Sequence, residues 1–453
     1  MSSSKVPIVA IVGRANVGKS SLFNKLVGFN QAIVAREAGT TRDSVLGKVQ
    51  TADKDFWLVD TAGLKAAEDE FELTIQEQIS EAIASADLIV VTVQADTMIT
   101  EEDRKVAKLA LKSKTPTILV INKIDLARKN PELNKFRALG IEPMITTSAT
   151  QTQGFDTLLD AITSQLPKAT IKTDDDRLHL ALLGRPNVGK SFLFNTLAKK
   201  QQAIVANVAG TTRDVNRTVV KYHGREVALL DTAGIRRSGK IEVGIEKFSV
   251  LRSLRAIEES DVCFVLIDVN EIGVQLDQKI AGMVKEAGKG LVLVVSKWDS
   301  ADKDAWTHDA LAAKIAAEYQ FAPWAPMIFT SSVTGQNVTK LLDLVTEIVE
   351  RRTHTYKTSE LNKWLTKVIN RHPPAGLKNR HPKLNYMVHL ADEKTPTFQF
   401  FGAHMDLLHW SYKRYLEREF REVYDLAGTP VRFIFTEKHV DRHKVAESKP
   451  KNL

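Results

Sequence analysis

The sequence predicts an α/β chain: two domains built on mostly parallel sheets with helices on both faces, then a smaller α+β module ordered α-β-β-α-β. Three observations predict it. Apolar runs of strand length alternate with amphipathic helical stretches. A long segment, "VAIVGRANVGKSSLFNKL" at 9–26, returns as "LALLGRPNVGKSFLFNTL" at 180–197. Beyond residue 353 the alternation stops, and two strand-like runs follow one another directly.

The repeat extends over a whole domain. "AIVAREAGTTRD" at 32–43 returns as "AIVANVAGTTRD" at 203–214, and "WLVDTAGL" at 57–64 returns as "ALLDTAGI" at 228–235, each shifted by 171 like the first pair. So long a period excludes a solenoid and predicts two independent domains. The organisation expected is a first domain over 5–167, the polar linker "KATIKTDDDR" at 168–177, a second domain over 178–352, the α+β module over 353–440 and a basic, disordered tail over 441–453.

Composition agrees with this division. A chain of 453 residues is long for one core. With 43% hydrophobic and 26% charged residues and no long apolar run, it reads as globular, without a membrane span. The opening "MSSSKVPIVAIVG" leads into a glycine loop rather than a small-residue cleavage site, so it predicts a first strand and not a signal peptide. The single cysteine, Cys263, lies in the apolar run "DVCFVLIDV", which predicts a buried thiol and fits a reducing cytoplasm. The net charge of +8 is unevenly placed: residues 353–453 hold 18 Lys and Arg against 11 Asp and Glu, and eight of the 11 histidines. A basic C-terminal module points to nucleic acid.

In the first copy the predicted strands are "VPIVAIVG", "FWLVD", "DLIVVTV" and "TILVINK", and the clearest helices are "EEDRKVAKLALKS" and "GFDTLLDAITSQL". In such sheets the loops after the strands carry the chemistry. The first of these loops fits G-x-x-x-x-G-K-[ST] in both copies, after a strand and before a helix. It comprises Gly13, Arg14, Ala15, Asn16, Val17, Gly18, Lys19 and Ser20, and again Gly184, Arg185, Pro186, Asn187, Val188, Gly189, Lys190 and Ser191. Backbone N–H groups and the helix N-terminus would cradle phosphates, Lys19 and Lys190 would reach the terminal ones, and Ser20 and Ser191 would hold magnesium. Thr41 and Thr212 in "GTTRD" are placed to complete the magnesium shell. The "DTAG" runs add Asp60, Thr61, Ala62, Gly63 and Leu64, and Asp231, Thr232, Ala233, Gly234 and Ile235. Their carboxylates would serve the magnesium, and the N–H groups of Gly63 and Gly234 the terminal phosphate.

Base choice falls to "TILVINKIDL" at 117–126 and "LVLVVSKWDS" at 291–300. Asp125 and Asp299 would each accept two hydrogen bonds from guanine, which adenine does not offer, and Lys123 and Lys297 would lie along the base. Asn122 and Ile124 complete the first element, Ser296 and Trp298 the second. "TSAT", with Ser148 and Ala149, and "SSVT", with Ser331 and Ser332, would close the base pocket with backbone N–H groups.

These motifs, with "DTAGIRRSGKIE" at 231–242, "EKFSVLRSLRAIE" at 246–258 and the C-terminal "SYKRYLEREFRE" and "GTPVRFIF", make the chain resemble the Der (EngA) family of bacterial tandem GTPases over residues 5–440. The resemblance implies hydrolysis of GTP to GDP, magnesium, a KH-like C-terminal domain, and the large ribosomal subunit and its rRNA as partner. A cytoplasmic monomer with no role on DNA is expected. Leu64 and Ile235 stand where Ras-type GTPases place a water-orienting glutamine. The resemblance implies instead a potassium ion held partly by Asn16 and Asn187. No G-x-x-G clamp is visible in the C-terminal module, so ordinary KH recognition of single-stranded RNA is not expected. Its aromatics Trp364, Trp410 and Tyr412 are expected in the core. The second copy departs most from the family pattern, with Ser296 for asparagine, Phe192 opposite Ser21 and Ser332 opposite Ala149. The rival reading is an RNA-binding scaffold whose second domain binds nucleotide but barely hydrolyses it.

Overall fold

The computed structural model describes residues 6–29, 46–51, 54–61, 75–127, 133–167, 177–200, 216–231, 250–301, 307–376 and 380–437. They group into two compact units, Met1–Ser260 and Asp261–Leu453. Among the described residues no helix is long and apolar enough to cross a membrane.

The first unit begins with β1 (Ile8–Val12), α1 (Lys19–Phe29), β2 (Leu46–Val49), β3 (Phe56–Asp60), α2 (Ile75–Ser85), β4 (Leu88–Gln94), α3 (Glu101–Lys112), β5 (Thr117–Asn122), β6 (Met144–Thr146) and α4 (Phe155–Gln165). Its sheet runs β2-β3-β1-β4-β5-β6, parallel except for the antiparallel edge strand β2. Each of the five β1 residues, Ile-Val-Ala-Ile-Val, is fully buried. That is why the strand reads as a continuous apolar run rather than an alternating one, both faces being covered by helices. One core cluster joins β1, β3, β4 and β5 to α1 and α4 through residues such as Ile11, Leu22, Leu58, Val120 and Leu158. Helix α3 starts on a capping box: Thr100 Oγ1 accepts from the Asp103 backbone N–H, and Asp103 Oδ2 accepts from the Thr100 N–H.

The unit continues through β7 (Leu178–Leu183), α5 (Lys190–Lys200), β8 (Asn216–Tyr222), β9 (Arg225–Asp231) and α6 (Val250–Glu259). Strands β8 and β9 form a hairpin whose two turn residues, His223 and Gly224, have φ of 46° and 76°. Such left-handed pairs suit the twist of a two-residue hairpin. Helix α6, though part of the second repeat, is clasped to the first. The Arg255 guanidinium donates to the Ser85 carbonyl and lies 3.2 Å from Asp87 Oδ1, while Asp87 Oδ2 accepts from the Ile8 N–H at 2.9 Å. Glu258 Oε1 accepts from the Trp57 indole N–H at 2.5 Å. Arg255, Glu258 and Trp57 are all buried.

The second unit holds β10 (Val262–Asp268), α7 (Gln275–Glu286), β11 (Gly290–Ser296), α8 (Thr307–Glu318), β12 (Met327–Phe329), α9 (Lys340–Thr353), α10 (Thr358–Arg371), β13 (Lys383–His389), β14 (Thr397–Ala403), α11 (Trp410–Val423) and β15 (Arg432–Glu437). In this unit β10, β11 and β12 pair in parallel in that order, and in the first unit β7 pairs in parallel with β9, which is antiparallel to β8. Cys263 is buried in β10, as its apolar run predicts. From α10 onward the order is α-β-β-α-β, with β13 antiparallel and β15 parallel to β14.

The C-terminal module has its own core, which includes Trp364 and Tyr412 as expected. Trp410 corrects the expectation, being 48% exposed. Tyr412, Leu416 and Phe420 form the buried stripe of α11 at four-residue spacing, and a side chain two residues before Tyr412 falls on the opposite face. The Arg414 guanidinium lies 4.8 Å from the Trp410 ring centroid. The module is tied to the preceding elements of its unit by main-chain bonds, Leu291 N–H to Gly428 O and Gly428 N–H to Trp324 O, both 2.8 Å. Arg352 donates to Thr429 Oγ1 at 2.9 Å, Gly288 O at 2.8 Å and Lys394 O at 3.1 Å. Burial pulls its pKa down to about 10 against the charges of Asp261 and Cys263, and it stays a cation at neutral pH.

Candidate nucleotide site

The phosphate loop of the first copy connects β1 to α1. Gly13 and Gly18 adopt φ of 154° and 93°, and a Cβ on Gly18 would stand 2.4 Å from Asn122 Nδ2, so only glycine lets the two loops touch. Lys19, 6% exposed at the first turn of α1, donates to Gly13 O at 2.9 Å and Arg14 O at 2.7 Å, which holds its ammonium in the mouth of the loop. Ser20 Oγ donates to Asp60 Oδ2 at 2.6 Å, joining the start of α1 to the end of β3. Thr61 is buried and donates to Ile11 O at 2.9 Å. Ala15 and Asn16 are exposed at the loop tip and Val17 is buried beneath it. Asn16 has φ of 64°, and among the described residues its carboxamide has no hydrogen-bond partner. The Arg14 side chain turns the other way, donating to Thr97 Oγ1 at 3.0 Å and lying 3.4 Å from Asp103 Oδ1 in α3.

The base-side loop follows β5. Asn122 Nδ2 donates to Val17 O at 3.0 Å, and Asn122 Oδ1 accepts from Thr147 Oγ1 at 3.1 Å. Lys123 adopts φ of 60°, and its Nζ donates to Asn16 O at 2.8 Å and Gln94 Oε1 at 3.2 Å. The Ile124 N–H donates to Thr147 O at 3.1 Å, which brings the Ser148–Ala149 turn alongside. Ser148 is fully buried, and its hydroxyl accepts from the Gln151 N–H at 3.0 Å. Among the described residues, Asp125 Oδ1 is a buried oxygen with no hydrogen-bond partner. It faces a cavity of about 850 Å³ whose lining includes Gly18, Asn122, Lys123, Asp125 and Ala149. A buried carboxylate oxygen without a donor is costly, and N–H groups of a ligand entering this cavity would satisfy it.

The second phosphate loop repeats the geometry of the first. Gly184 and Gly189 have φ of 146° and 101°, and Asn187 has 60°. Lys190 donates to Gly184 O at 3.0 Å and Arg185 O at 2.8 Å. Pro186 is half-buried, Val188 is buried, Ser191 opens α5, and Asp231 closes β9.

The second base-side loop, in the unit Asp261–Leu453, keeps the backbone of the first and changes the side chains. Lys297 has φ of 58°, and the Trp298 N–H donates to Thr330 O at 3.0 Å, as Ile124 does to Thr147. Trp298 is buried edge-on against Phe329, with ring centroids 4.8 Å apart. Asp299 follows it in the short 3-10 turn. Ser331 is fully buried and its hydroxyl accepts from the Thr334 N–H at 3.0 Å; Ser332 is half-buried beside it. Ser296 Oγ, however, donates to Ile267 O at 3.1 Å, and Lys297 Nζ donates to Asp268 Oδ2 at 2.6 Å. Burial works to raise the Asp268 pKa, but the Lys297 ammonium and the donors of Asn270 together hold it below the ordinary carboxylate value.

Thr41, Ala62, Gly63, Leu64, Thr212, Thr232, Ala233, Gly234 and Ile235 lie outside the described residues. Sequence reasoning missed three residues that shape these loops, Gln94, Asp103 and Asp268, and gave Thr147, within "TSAT", no side-chain role. For Gln94 and Asp268 there was a signal, because each stands 28 residues before the Asn122 or Ser296 of its own copy and ends the strand before it.

Comparisons with known proteins point in one direction. Residues 8–123 and 179–297 match the family described as 50S ribosome-binding GTPase. Residues 356–436 match the C-terminal KH-domain-like family of EngA bacterial GTPase enzymes. The GTPase Der of Chloroflexus aggregans is 43% identical over 438 residues, which is 95% of this chain and 97% of that protein. GTPase Der of Desulfitobacterium hafniense is 40% identical over 439 residues, 96% of this chain and 99% of the other. Among solved structures, the G domain of FeoB from Methanococcus jannaschii is 26% identical, covering 36% of this chain and 98% of its own, with a TM-score of 0.27.

Proposed function

The chain belongs to the Der family of tandem GTPases, and we propose that it hydrolyses GTP as an assembly factor of the large ribosomal subunit, its nucleotide state setting how its domains are arranged on rRNA. The observation that carries the nucleotide reading is the cavity lined by Gly18, Asn122, Lys123 and Asp125, whose Asn122 is bonded to the phosphate loop that also holds Lys19 and leads to the Ser20–Asp60 pair. The working division is two G domains over 5–167 and 178–352 and a KH-like domain over 353–440.

In this reading the N–H groups of the phosphate loop and Lys19 bind the phosphates, and Lys190 does the same in the second copy. Ser20 and Asp60 are hard oxygen donors already 2.6 Å apart, the type magnesium takes, and they fit that ion; Ser191 and Asp231 are their counterparts. Bound there, magnesium would neutralise charge on the terminal phosphates. Thr41 and Thr212 would complete the magnesium shell, and the N–H groups of Gly63 and Gly234 would meet the terminal phosphate. The free Asn16 carboxamide fits as one oxygen ligand of potassium, which would supply the positive charge that an arginine finger brings elsewhere; Asn187 is its counterpart. Asp125 accepts the two donors of guanine, and the Lys123 stem covers the base.

The exposed cations Arg414 and Arg418 of the KH-like domain, with Arg371, offer phosphate contacts for rRNA. The test is cosedimentation of the full chain with large subunits in GTP and in GDP. Association favouring GTP, and weakened uniformly by Arg414→Glu with Arg418→Glu, is expected. Equal pelleting in both nucleotides and in the variant contradicts the reading. The Ser296–Ile267 bond favours a second reading, in which the second copy binds nucleotide and turns it over slowly. Comparing turnover of Lys19→Ala and Lys190→Ala chains separates the two.

A further inference from the structure

We infer that Asp268 positions Lys297 in the second guanine nucleotide site, taking at the strand end the place that Gln94 has against Lys123 in the first. The inference rests on the reading of that second site as a guanine site.

The two copies can be compared at matched strand ends. In the first, β4 and β5 pair Gln94 with Asn122; in the second, β10 and β11 pair Asp268 with Ser296. Both members of the pair have changed. The first copy uses two neutral amides, Asn122 reaching Val17 O and Gln94 accepting from Lys123. In the second, the Ser296 hydroxyl donates to Ile267 O within the sheet.

The carboxylate that replaces Gln94 makes a stronger and shorter bond. Lys297 Nζ stands 2.6 Å from Asp268 Oδ2, against 3.2 Å for Lys123 and Gln94. Both bonds carry the charge of the ammonium, and in the second the acceptor is charged as well, which adds an ion pair to the hydrogen bond. The other oxygen is also used. Asp268 Oδ1 accepts from the Asn270 N–H at 3.0 Å and from Asn270 Nδ2 at 3.2 Å. Asn270 Nδ2 reaches Ser300 Oγ at 2.9 Å, and Ser300 Oγ donates to Lys297 O at 2.8 Å. The chain of bonds therefore returns to Lys297. Its ammonium and its backbone are both fixed by one network, with Asp268 buried at the centre and the lysine side chain 40% exposed. Asp268 is bonded to the lysine ammonium, and its effect on nucleotide passes through Lys297.

The test uses the full chain carrying Lys19→Ala, so that GDP binding reports the second site. In that background Asp268→Asn should weaken GDP about tenfold, Lys297→Ala at least as much, and the double variant no more than Lys297→Ala alone. Additive losses would mean that Asp268 acts elsewhere and would overturn the inference, as would an unchanged affinity in Asp268→Asn. If Asp268→Asn lowers the melting temperature without nucleotide, Asp268→Glu carries the test. Recovery to within about threefold of the parent supports the inference, and an affinity as low as that of Asn overturns it. A Lys19→Ala chain that binds no GDP at all would overturn the guanine reading of the second site itself.

Discussion

Asn122 donates from its side-chain amide to the carbonyl of Val17, 105 residues away, at 3.0 Å, and so fastens the base-side loop of the first copy to its phosphate loop. The same side chain accepts from Thr147, so one residue holds three loops in register. Removing it leaves a buried carbonyl and a buried hydroxyl without partners.

Asn122→Ala should therefore cost about 1–3 kcal/mol of nucleotide binding, on the order of ten- to a hundredfold in GDP affinity at the first site. Calorimetric titration of the full chain carrying Lys190→Ala measures it, and a change of less than twofold would contradict the role given to this bond.

At the second site the reverse substitution is informative. Ser296→Asn should tighten GDP, and Asp299→Asn should move preference from guanine toward xanthine, whose O2 accepts from the new amide. GDP, ADP and XDP affinities in the Lys19→Ala background decide the matter. Comparable ADP and GDP affinities in that background would remove the guanine reading.

Turnover should be faster in potassium than in sodium buffer. Asn16→Ala and Asn187→Ala should each abolish the difference for the copy that carries the change. Equal rates of phosphate release in the two salts for the parent chain would show that these asparagines only brace their loops.

Gly428→Ala tests the junction inside the second unit. Gly428 has φ of 76°, and a Cβ there would stand 2.4 Å from Ile348 Cδ1, while its N–H and carbonyl are both committed. A loss of about 1–3 kcal/mol is expected from strain and overpacking. Thermal unfolding measures it, and an unchanged midpoint would mean that the junction yields freely.

Alkaline pH should unfold the C-terminal module early. The Tyr356 pKa is pushed up to about 12 by burial, then by the charges of Asp425 and Tyr424; burial, then Tyr415, takes Tyr412 to about 12 as well. The folded state keeps protons that the unfolded chain has lost above pH 10, so this stability is whole below about pH 10 and is lost as pH rises toward 12. Tyr356→Phe should make the decline of the melting temperature between pH 9 and 12 shallower. An identical profile would assign the decline to other groups.

The architecture was legible in the sequence because its strands are buried on both faces: runs such as "IVAIV" in β1 have no polar interruption to obscure them. Phosphate loops were legible because glycine at Gly18 answers a local steric demand. The residues that escaped notice act across strand ends or between distant segments. Thr147 matters through Asn122, and Asp268 through Lys297, pairings that only the register of parallel strands creates. Trp410 was misjudged because composition does not say which face of α11 is apolar until Tyr412, Leu416 and Phe420 are seen as its buried stripe.

The clasp of α6 on the first repeat bears on how the chain can be taken apart. Arg255 and Glu258 find their partners at Ser85, Asp87 and Trp57, all on the far side of the duplication boundary. A cut within residues 168–177 would strand a buried guanidinium on one fragment and an indole N–H on the other. Neither fragment would be a natural monomer. The two copies began as one sequence, but each has come to complete the other's interior, so the cooperative unit of unfolding is larger than the unit of duplication. Enzymology on separated halves would then measure the wound of the cut together with the domain.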